Sequence, residues 1–413
     1  MSPHREILPI KGPLRIDLPG SKSISHRLCI LAALNAGTVQ LAGLLDSEDI
    51  DITCATLGNM GARILRGGST AEIRGPLGKT GIGETYLGNS GSSARFLFPI
   101  GSILDKPFRF AGSERLHQRP FGELFAAFRE LGGKMTDTAG SLPATTLPGP
   151  LRGGPIALRG LPSSQIISGL MMLAPQMSRD LEIVLGNDIP SLPYINITLR
   201  LMQRLGIAAE QEKNTIRVTA GHTAFSGVFT AEKDMSAASY WVARAVISGE
   251  EVLLEGVQRP TLQGDEVIFD IAGAAGAEIL QQKNGVLIRG GLTRAIEADA
   301  IDCPDLVPTL AVMALFAPGK SVIRNVTHLV HKESDRVAAV QQNIAVLGGG
   351  SAFDGRDLSI TPARDYRGGL IRTFNDHRIA MSFAIAGLLI PGTFIENPGC
   401  VAKSYPGFWE AWG

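Results

Sequence analysis

A short strand-like segment recurs six times along this chain, each time after an apolar stretch that suits a helix. The six segments are GTVQLAG, KPFRFAG, DLEIVLG, EEVLLEG, KSVIRNV and GTFIENP, which begin at Gly37, Lys106, Asp180, Glu250, Lys320 and Gly392. Successive starts are 69, 74, 70, 70 and 72 residues apart. A period this regular predicts one supersecondary unit repeated six times over the 413 residues.

Each repeat combines two kinds of predicted helix. The first kind opens with small polar residues and is apolar beyond its first turn, as in SKSISHRLCILAAL from Ser21. The second kind is amphipathic, as in SLPYINITLRLMQRLG from Ser191. One such unit cannot cover its own apolar faces, whereas three packed together can. The pattern therefore predicts an α/β fold of two domains with three repeats each.

Composition favours a well-buried enzyme. Hydrophobic residues make up 44% and charged residues 19%, and Lys plus Arg equals Asp plus Glu at 39 each. Nucleic-acid binders and polybasic membrane-surface proteins normally carry an excess of cations, so neither partner is expected. The start MSPHREILPIKG has no apolar core typical of a secretory signal, and no apolar run is long enough to span a membrane. We expect a cytoplasmic protein.

The cysteines follow neither a zinc-site spacing nor a disulfide framework. They are predicted to be reduced packing residues, and they are Cys29, Cys54, Cys303 and Cys400.

Charged and hydroxyl side chains concentrate near the starts of the predicted helices. A helix N-terminus presents free N–H groups and partial positive charge, which attract anions. Guanidinium groups can bind carboxylate and phosphate through two hydrogen bonds each. The set therefore suits two anionic ligands, one phosphorylated and one with both carboxylate and phosphate. Its members are Lys22, Arg27, Arg95, Arg119, Ser163, Ser164, Gln165, Asp305, Lys332, Arg336, His377, Arg378 and Lys403.

Each of these residues also has a structural interpretation when taken alone. An isolated arginine usually forms a surface ion pair, and His377 could be a hydrogen-bonded structural histidine, as we expect for His26. Several helix-start residues could be simple N-caps. It is the coincidence of cations at several helix starts that favours a ligand site. The N-cap candidates are Ser21, Ser23, Asn89, Ser163, Asp234 and Asn375.

The motif KESDR is predicted to begin a helix of the second kind. Lys332, Glu333 and Arg336 could form a local ion pair there, and Glu333 would suit the helix dipole. Glu333 could transfer a proton only if its surroundings raised its pKa, which the sequence leaves open.

Motifs spread over nearly the whole chain resemble the 5-enolpyruvylshikimate-3-phosphate synthase family, whose activity is also called 3-phosphoshikimate 1-carboxyvinyltransferase. They occur in the family's order and are PGSKSISHR, LGNSGSSAR, QRP, SSQ, SLPYINITL, QGD, PD, KESDR, NDHRIAM and AKSYP. The resemblance implies two domains, each of three βαβαββ units, with helix N-termini that face an interdomain cleft. It implies residues 1–20 with 233–413 as one domain and 21–232 as the other, and a monomer.

The resemblance also implies the reaction. The enolpyruvyl group of phosphoenolpyruvate passes to the 5-hydroxyl of shikimate 3-phosphate, and phosphate leaves after addition and elimination through a tetrahedral intermediate. This is a step of the shikimate pathway to chorismate and the aromatic amino acids, and it needs no metal or organic cofactor. It does need a proton donor, a base and fixed charge around phosphate and carboxylate groups.

Site residues follow from the resemblance motif by motif. Asp305 is implied as the base for the attacking hydroxyl and Glu333 as the group that protonates C3, with Lys22 sharing this work and His377 supporting the departing phosphate or its neighbours. The shikimate 3-phosphate set is Lys22, Ser23, Arg27, Ser163, Ser164, Ser191, Tyr194, Asp305 and Lys332. The phosphoenolpyruvate set is Lys22, Gly91, Arg119, Gln165, Arg336, Arg378 and Lys403.

Three positions depart from the family's pattern or qualify it. Ser92 replaces a more usual threonine and keeps the hydroxyl. His328 stands where many members have an asparagine that touches the acceptor, so that contact is open. Pro308 predicts that a helix starts there and leaves Asp305 in the turn before it.

The same residues disfavour three other functions. A UDP-N-acetylglucosamine enolpyruvyl transferase usually has Lys-Asn in the first motif and a reactive cysteine, sometimes an aspartate, in a flexible loop of the N-terminal half. This chain has Lys22-Ser23 there and no cysteine near Arg119. A sugar-phosphate binding protein would not need Asp305 and Glu333, because carboxylates weaken anion binding. An RNA-end-processing enzyme is disfavoured by the balanced charge and the lack of a nucleotide-binding motif.

Overall fold

The chain folds into two compact units. The computed structural model describes residues 3–8, 12–77, 83–138, 140–186, 189–221 and 224–413. The first unit comprises Met1–Pro19 and Lys233–Gly413, and the second unit comprises Gly20–Glu232. Gly20 lies with the second unit, where a Cβ on it would come within 1.7 Å of the carbonyl oxygen of Gly43.

The secondary structure follows the repeat along the chain. The first unit begins with β1 (His4–Glu6) and β2 (Leu14–Asp17). The first third of the second unit contains α1 (Lys22–Leu34), β3 (Thr38–Ala42), α2 (Glu48–Asn59), β4 (Arg63–Gly67) and β5 (Thr70–Arg74). Its middle third contains β6 (Glu84–Tyr86), α3 (Gly91–Ile100), β7 (Phe108–Ala111), α4 (Glu114–His117), α5 (Gly122–Glu130), β8 (Lys134–Thr138) and β9 (Ser141–Leu147). Its last third contains β10 (Gly154–Leu158), α6 (Gln165–Leu173), β11 (Leu181–Leu185), α7 (Leu192–Arg204), β12 (Ala209–Glu212), β13 (Thr215–Val218) and β14 (Gly227–Thr230).

The remainder of the first unit repeats the same order. Its first third contains α8 (Met235–Ser248), β15 (Val252–Glu255), α9 (Val267–Ala274), β16 (Ala277–Gln282) and β17 (Gly285–Gly290). Its middle third contains β18 (Glu297–Asp299), α10 (Val307–Phe316), β19 (Ser321–Arg324), α11 (Arg336–Val346), β20 (Gly350–Phe353) and β21 (Leu358–Thr361). Its last third contains β22 (Leu370–Ile371), α12 (His377–Gly387), β23 (Phe394–Glu396) and α13 (Phe408–Trp412). Short 3-10 turns include Gly264–Glu266, Pro304–Leu306, Thr327–His331 and Pro398–Lys403.

Five of the sheets share one topology. In the sheet β6-β7-β9-β8, β6 and β7 are parallel, while β9 runs antiparallel to both β7 and β8. The sheets β14-β3-β5-β4, β10-β11-β13-β12, β2-β15-β17-β16 and β18-β19-β21-β20 have the same order, and β22-β23-β1 is a shorter version. Each of the six recurring sequence segments supplies the second strand of its sheet. The predicted six βαβαββ-type repeats are therefore confirmed.

Two of these sheets are completed by strands from distant parts of the chain. β2 pairs in parallel with β15, so that Leu14 lies beside Val252. β14 pairs in parallel with β3, so that Gly227 lies beside Val39. These strands adjoin the two passages between the units, which lie between Pro19 and Gly20 and between Glu232 and Lys233.

The first helix of each repeat is buried, as its apolar sequence predicts. All residues of α12 are buried, and so are all of α10 except Phe316. In the first unit, α8, α10 and α12 pack together, and their hydroxyls form a chain in which Thr309 lies 3.2 Å from Ser239 and 3.1 Å from Ser382. Buried hydroxyls require partners, and in this chain each hydroxyl has one on a neighbouring helix. No helix in the described part of the chain is long and apolar enough to cross a membrane.

The helix caps match the predictions only in part. Asp234 caps α8 and accepts from the Ala237 amide at 2.8 Å. Asn375 does not cap α12; the neighbouring Asp376 does, while Asn375 has φ of 56°. Ser21 precedes α1, and Ser90 rather than Asn89 precedes α3, in both cases without a side-chain cap bond.

Candidate active site

A buried arginine organises the ionic groups of the first unit. Arg336, which begins α11, is 1% exposed and contacts three carboxylates. Its Nε lies 2.9 Å from Oδ2 of Asp376, its Nη1 2.8 Å from Oδ1 of Asp305, and its Nη2 2.8 Å from Oε2 of Glu333. Burial alone would lower the pKa of Arg336, but these carboxylates outweigh it and raise the pKa. Arg336 therefore stays cationic and fixes the three acids around itself.

Asp305 is held between cations. It lies on the 3-10 turn Pro304–Leu306, directly before α10, as Pro308 predicted. Its second oxygen is 2.6 Å from Nη2 of Arg378, and Lys332 approaches within 4.0 Å. Burial favours the neutral acid, but Arg378, Lys332 and Arg336 together hold the pKa of Asp305 well below its usual range. Asp305 is consequently an ionised hydrogen-bond acceptor.

We call the ionic residues around Arg336 the first-unit cluster: Asp305, Lys332, Glu333, Arg336, Asp376, Arg378 and Lys403. Lys403 joins it through a 3.8 Å contact with Oε1 of Glu333. Four cations and three carboxylates leave a net charge of 4 − 3 = +1. An incoming anion thus meets net positive charge, with three carboxylates among the cations. In the described part of the chain, no three His, Cys, Asp or Glu side chains are placed to hold a metal ion together.

The KESDR motif differs from its predicted form. Lys332 and Glu333 lie in the connection after the 3-10 turn Thr327–His331, and α11 begins only at Arg336. The reason is Asp335, whose carboxylate accepts from the Ala338 amide at 3.0 Å and caps the helix. Lys332 and Glu333 therefore lie on a connection, from which their side chains reach the cluster.

Two histidines adjoin the cluster in different ways. His377, at the start of α12, is 0% exposed, and its Nδ1 lies 3.8 Å from Oδ1 of Asp376. His328 is half-buried, and neither ring nitrogen has a hydrogen-bond partner among the described residues. Burial, and secondarily Lys332, lowers the pKa of His328 to about 4. His328 is therefore a neutral imidazole near neutral pH.

In the second unit, polar groups from several helix starts form a connected network. Gln165, the first residue of α6, donates to Oγ of Ser92 at 2.8 Å and accepts from Arg95 at 3.1 Å. Oγ of Ser163 accepts from the Gln165 amide at 3.3 Å, and Ser164 is the residue that precedes α6. The predicted donors of the SSQ motif thus lie beside the start of α3.

Arg119 lies directly over Gly91, the first residue of α3. A Cβ on Gly91 would come within 2.4 Å of Nη1 of Arg119. Arg119 is 7% exposed, and its Nε and Nη1 are buried without a hydrogen-bond partner among the described residues. Buried guanidinium donors without partners are costly, and an anionic ligand would satisfy them. The two residues, both predicted to bind phosphoenolpyruvate, are brought together.

Lys22, on α1, is linked to α3 through Asp49. Its Nζ lies 3.4 Å from Oδ2 of Asp49, at the start of α2. The main-chain carbonyl of Asp49 accepts from Ser93, on α3, at 3.5 Å. We call Lys22, Asp49, Gly91, Arg95, Arg119, Ser163, Ser164 and Gln165 the second-unit cluster.

Arg27 lies deeper than its predicted role suggests. It is 1% exposed and donates to Thr198 at 2.6 Å, to Ser168 at 3.1 Å and to the carbonyl of Tyr194 at 3.0 Å. Burial lowers the pKa of Arg27 to about 9. Arg27 thereby connects α1 to α6 and α7 in the interior of the unit.

The remaining predicted residues of the second unit lie close to Arg27. The carbonyl of Ser23 accepts from its Nη1 at 2.9 Å. Ser191 precedes α7 in a left-handed conformation, with φ of 62° and ψ of 42°, and its carbonyl accepts from the Tyr194 amide at 3.1 Å. Arg27 is thus bonded to the chain at two predicted shikimate 3-phosphate residues, Ser23 and Tyr194.

Comparison with known proteins tests the family that the sequence motifs predict. Residues 5–412 match the EPSP synthase family, described as 3-phosphoshikimate 1-carboxyvinyltransferase. The chain belongs to the EPSP synthase family. Proteins named 3-phosphoshikimate 1-carboxyvinyltransferase from Shewanella sediminis (strain HAW-EB3) and Syntrophobacter fumaroxidans (strain DSM 10017 / MPOB) are each 35% identical to it. The alignments cover 96% of this chain and 95% of the first relative, and 98% of both this chain and the second.

A solved EPSP synthase from Acinetobacter baumannii has the same fold. It superposes with a TM-score of 0.82 at 25% identity, over 99% of this chain and 97% of that one. The predicted family, the two-domain α/β fold and the assignment as a transferase enzyme of the shikimate pathway are confirmed. The alternative of a UDP-N-acetylglucosamine enolpyruvyl transferase is not favoured by any of these relatives.

Three carboxylates in or beside the clusters were not predicted from the sequence. The sequence pattern favours Asn375 over Asp376 as the cap of α12, and Asp49 stands in an acidic segment that is typical of an ordinary first turn of α2. Asp265 belongs to the QGD motif but had no role. The usable signal was the same in each case: an aspartate at or just before a helix start, in a repeat whose neighbours supply cations.

Proposed function

We propose that this chain carries out its family's reaction with the two clusters described above, which act on the same pair of substrates. Phosphoenolpyruvate adds to the 5-hydroxyl of shikimate 3-phosphate, and the tetrahedral adduct then loses inorganic phosphate. The observation that carries the proposal is the placement of two carboxylates, Asp305 and Glu333, among cations. Acids weaken anion binding, so a binding protein has no use for them there, whereas an enzyme that moves protons does.

The anionic donor is proposed to bind through the cations. Phosphate and carboxylate oxygens would be bound by Arg336, Arg378 and Lys403 from the first-unit cluster. Arg119 supports this assignment from the second unit, because its Nε and Nη1 donors lack partners among the described residues. Lys22, Gly91 and Gln165 are proposed to belong to the same phosphoenolpyruvate site as Arg119. Gly91 contributes by leaving the space that the guanidinium of Arg119 occupies.

The acceptor is proposed to bind through hydroxyl and amide groups together with Lys332. Ser163, Ser164, Ser191 and Tyr194 supply neutral donors at the starts of α6 and α7. Further members of the set are Lys22, Ser23, Arg27 and Asp305. Arg27 would act mainly by fixing α1 against α6 and α7, since its donors already have partners.

Proton transfer is assigned to the two carboxylates. Asp305 is ionised and would accept the proton of the 5-hydroxyl as the new C–O bond forms. Its low basicity means that this transfer accompanies bond formation instead of preceding it. Glu333 would donate a proton to C3 and later remove one, while the proton from the 5-hydroxyl leaves with the departing phosphate and Asp305 is ionised again. Arg336 and Lys403 now contact Glu333, and an anion that draws these cations away would let Glu333 take up its proton.

Lys22 and His377 have supporting roles in this proposal. The ammonium of Lys22, beside Asp49, can share in the acid-base work. His377 is fully buried against Asp376, so we assign it to positioning of neighbouring groups and not to contact with the departing phosphate.

The reaction is tested by phosphate release from phosphoenolpyruvate with the purified protein. Shikimate 3-phosphate and UDP-N-acetylglucosamine are compared as acceptors, and the organic product is identified by mass. Release with the shikimate ester alone, with the enolpyruvyl product, supports the proposal. Release with UDP-N-acetylglucosamine, or with neither acceptor by a folded protein, contradicts it.

Three further proposals accompany this function. The protein is a monomer, it works in the cytoplasm, and acceptor binding brings the two units closer together. The four cysteines are free thiols, which suits a reducing compartment. Size-exclusion chromatography with light scattering tests the first proposal, and fractionation of cells the second. Small-angle scattering with and without saturating shikimate 3-phosphate tests the third, which an unchanged radius of gyration would contradict.

A further inference from the structure

The QGD motif, Gln263 to Asp265, has no part in the reaction proposed above. Gln263 accepts from the Met235 amide at 3.0 Å and donates to the carbonyl of Lys233 at 2.7 Å, which ties the motif to the start of α8. Asp265 lies on the 3-10 turn Gly264–Glu266 and is 3% exposed. A carboxyl this well buried is rarely placed without a partner or a task.

Asp265 is linked to the first-unit cluster through one hydroxyl. The Oγ of Ser236, on α8, donates a short hydrogen bond to Oδ2 of Asp265. The same Oγ accepts from Nη2 of Arg378 at 3.4 Å, and that nitrogen is 2.6 Å from Oδ2 of Asp305. Nη1 of Arg378 donates to the hydroxyl of Tyr240 at 3.3 Å. The guanidinium of Arg378 is thus held from three sides, one of which leads back to Asp265.

The charge on Asp265 interacts electrostatically with Arg378. The charged and titratable groups that face Asp265 include Asp234 at the start of α8, Cys303 and Asp305 before α10, and Arg378 on α12. Burial, and secondarily the nearby Asp305, raises the pKa of Asp265 to about 7. The carboxyl therefore changes charge near neutral pH, beside a cation assigned to phosphoenolpyruvate.

We propose that Asp265 is a positioning residue, which acts through Ser236 to orient the Arg378 guanidinium and whose negative charge weakens the affinity of the first-unit cluster for phosphoenolpyruvate. This inference rests on the proposed function, since it concerns the same anion site. An ionised Asp265 adds a negative charge next to Arg378, which lowers the positive potential that an anion meets. The protonated form keeps the hydrogen bond to Ser236 without that charge.

The test compares wild type with Asp265→Asn, which keeps the shape of the side chain and mimics its neutral form. KM for phosphoenolpyruvate is measured at saturating shikimate 3-phosphate. The variant's KM is divided by that of wild type at each pH, because the effect of substrate ionisation on KM is the same for both proteins and cancels. We expect a ratio near one at about pH 5.5 and a fall to roughly one fifth at about pH 8.5. A ratio that is the same at both pH values would overturn the charge effect, even if the variant were less stable.

The bridge is tested by Ser236→Ala, with Ser239→Ala as the matched control. Both remove a buried hydroxyl from α8, but Ser239 bonds the Ser236 carbonyl and Thr309, not Arg378. Loss of a hydrogen bond to a charged group predicts a rise in KM of about tenfold for Ser236→Ala, with kcat within about twofold of wild type. Equal KM values for the two variants would overturn the bridge. This comparison of KM values still tests the bridge if the Asp265→Asn variant does not fold.

Failure of the inference can be separated from failure of the proposed function. Calorimetric binding of inorganic phosphate, the product that leaves this site, needs no turnover. A wild-type protein that forms no product refutes the proposed reaction, while the phosphate affinities of the variants at the two pH values still decide on Asp265. Product formation with unchanged affinity ratios refutes the role of Asp265 alone.

Discussion

Asp376 and Arg336 form an ion pair that is closed to solvent, since the Asp376 side chain is 0% exposed and that of Arg336 1%. Oδ2 of Asp376 also accepts from Ser334 at 3.0 Å, and Oδ1 accepts from the Arg378 amide at 3.0 Å. One carboxylate therefore caps α12 and orients the cation at the start of α11. Removal of one partner of such a pair leaves the other buried and unpaired.

Asp376→Asn is expected to lower the free energy of unfolding by about 3 kcal/mol, because the amide retains the cap but not the charge that Arg336 requires. Urea unfolding measures the change. The matched control is Asp335→Asn, an exposed N-cap on α11, for which a loss under about 0.5 kcal/mol is expected. Equal losses at the two sites would show that the buried ion pair adds nothing to stability beyond the cap.

Glu333→Gln is expected to reduce kcat by about a hundredfold or more, because the amide cannot transfer the proton to C3. The affinity for shikimate 3-phosphate should stay within about twofold of wild type. Steady-state kinetics measures kcat, and calorimetry measures the affinity for shikimate 3-phosphate. Glu297→Gln, which changes an exposed partner of Arg324, serves as control and should leave both values unchanged. Near-normal turnover in Glu333→Gln would remove Glu333 from the acid-base role.

Gly91→Ala is expected to displace the guanidinium of Arg119 and to raise KM for phosphoenolpyruvate by about tenfold. The added methyl would meet the end of a flexible side chain, so the free energy of unfolding should change by less than about 1 kcal/mol. Gly122→Ala is the matched control, since Gly122 also begins a helix and a Cβ there meets nothing within 4 Å. If the two variants had the same KM, Arg119 would not be a ligand of this substrate.

Asp265 should make the protein less stable as pH rises. Its folded-state pKa of about 7 lies above the ordinary value of 3.8, so its contribution is fully present below the lower value and is lost as pH rises through the higher one. Over this window, the free energy of unfolding of wild type is expected to fall relative to that of Asp265→Asn by no more than about 1.4 kcal/mol per pH unit. Urea unfolding at about pH 5 and about pH 8 measures it, with exposed Asp270→Asn as control. A parallel pH dependence in all three proteins would contradict this titration.

His328 predicts the opposite pH dependence. Its folded-state pKa of about 4 lies below the ordinary 6.5, so its contribution is present above the ordinary value and is lost as pH falls through the folded one. His328→Asn should therefore lose less stability than wild type on acidification. His331→Asn, an exposed histidine on the same 3-10 turn, is the control and should follow wild type. The prediction is checked by measuring the free energy of unfolding of wild type and of both variants at about pH 7.5 and about pH 5.

The repeated part of the fold could be predicted from sequence because its signals are local. Each recurring segment contains a strand, and each apolar stretch after a small polar start forms a buried helix. The pairing of β2 with β15 and of β14 with β3 could not be predicted in this way. The partners Leu14 and Val252 are 252 − 14 = 238 residues apart, and no periodicity records which distant strand completes a sheet.

For the candidate site, the cations were easier to predict than the acids that hold them. Lysine and arginine at the start of a buried helix conflict with its dipole and therefore stand out. Aspartate at the same place satisfies the dipole and looks like an ordinary cap, so Asp376 was missed. The depth of Arg27 was also hidden, because its partners Ser168 and Thr198 lie on helices far along the chain.

The pairing of β2 with β15 also has a consequence for synthesis on the ribosome. The whole segment Gly20–Glu232, with β14 at its end, is made before β15 exists, so the second unit can complete its sheets while the chain is still growing. Strands β1 and β2 both precede this segment yet must wait unpaired for their neighbours, β23 and β15. The nascent protein therefore carries both β1 and β2 unpaired while the second unit is made, and the first unit closes only after these strands are captured by β23 and β15.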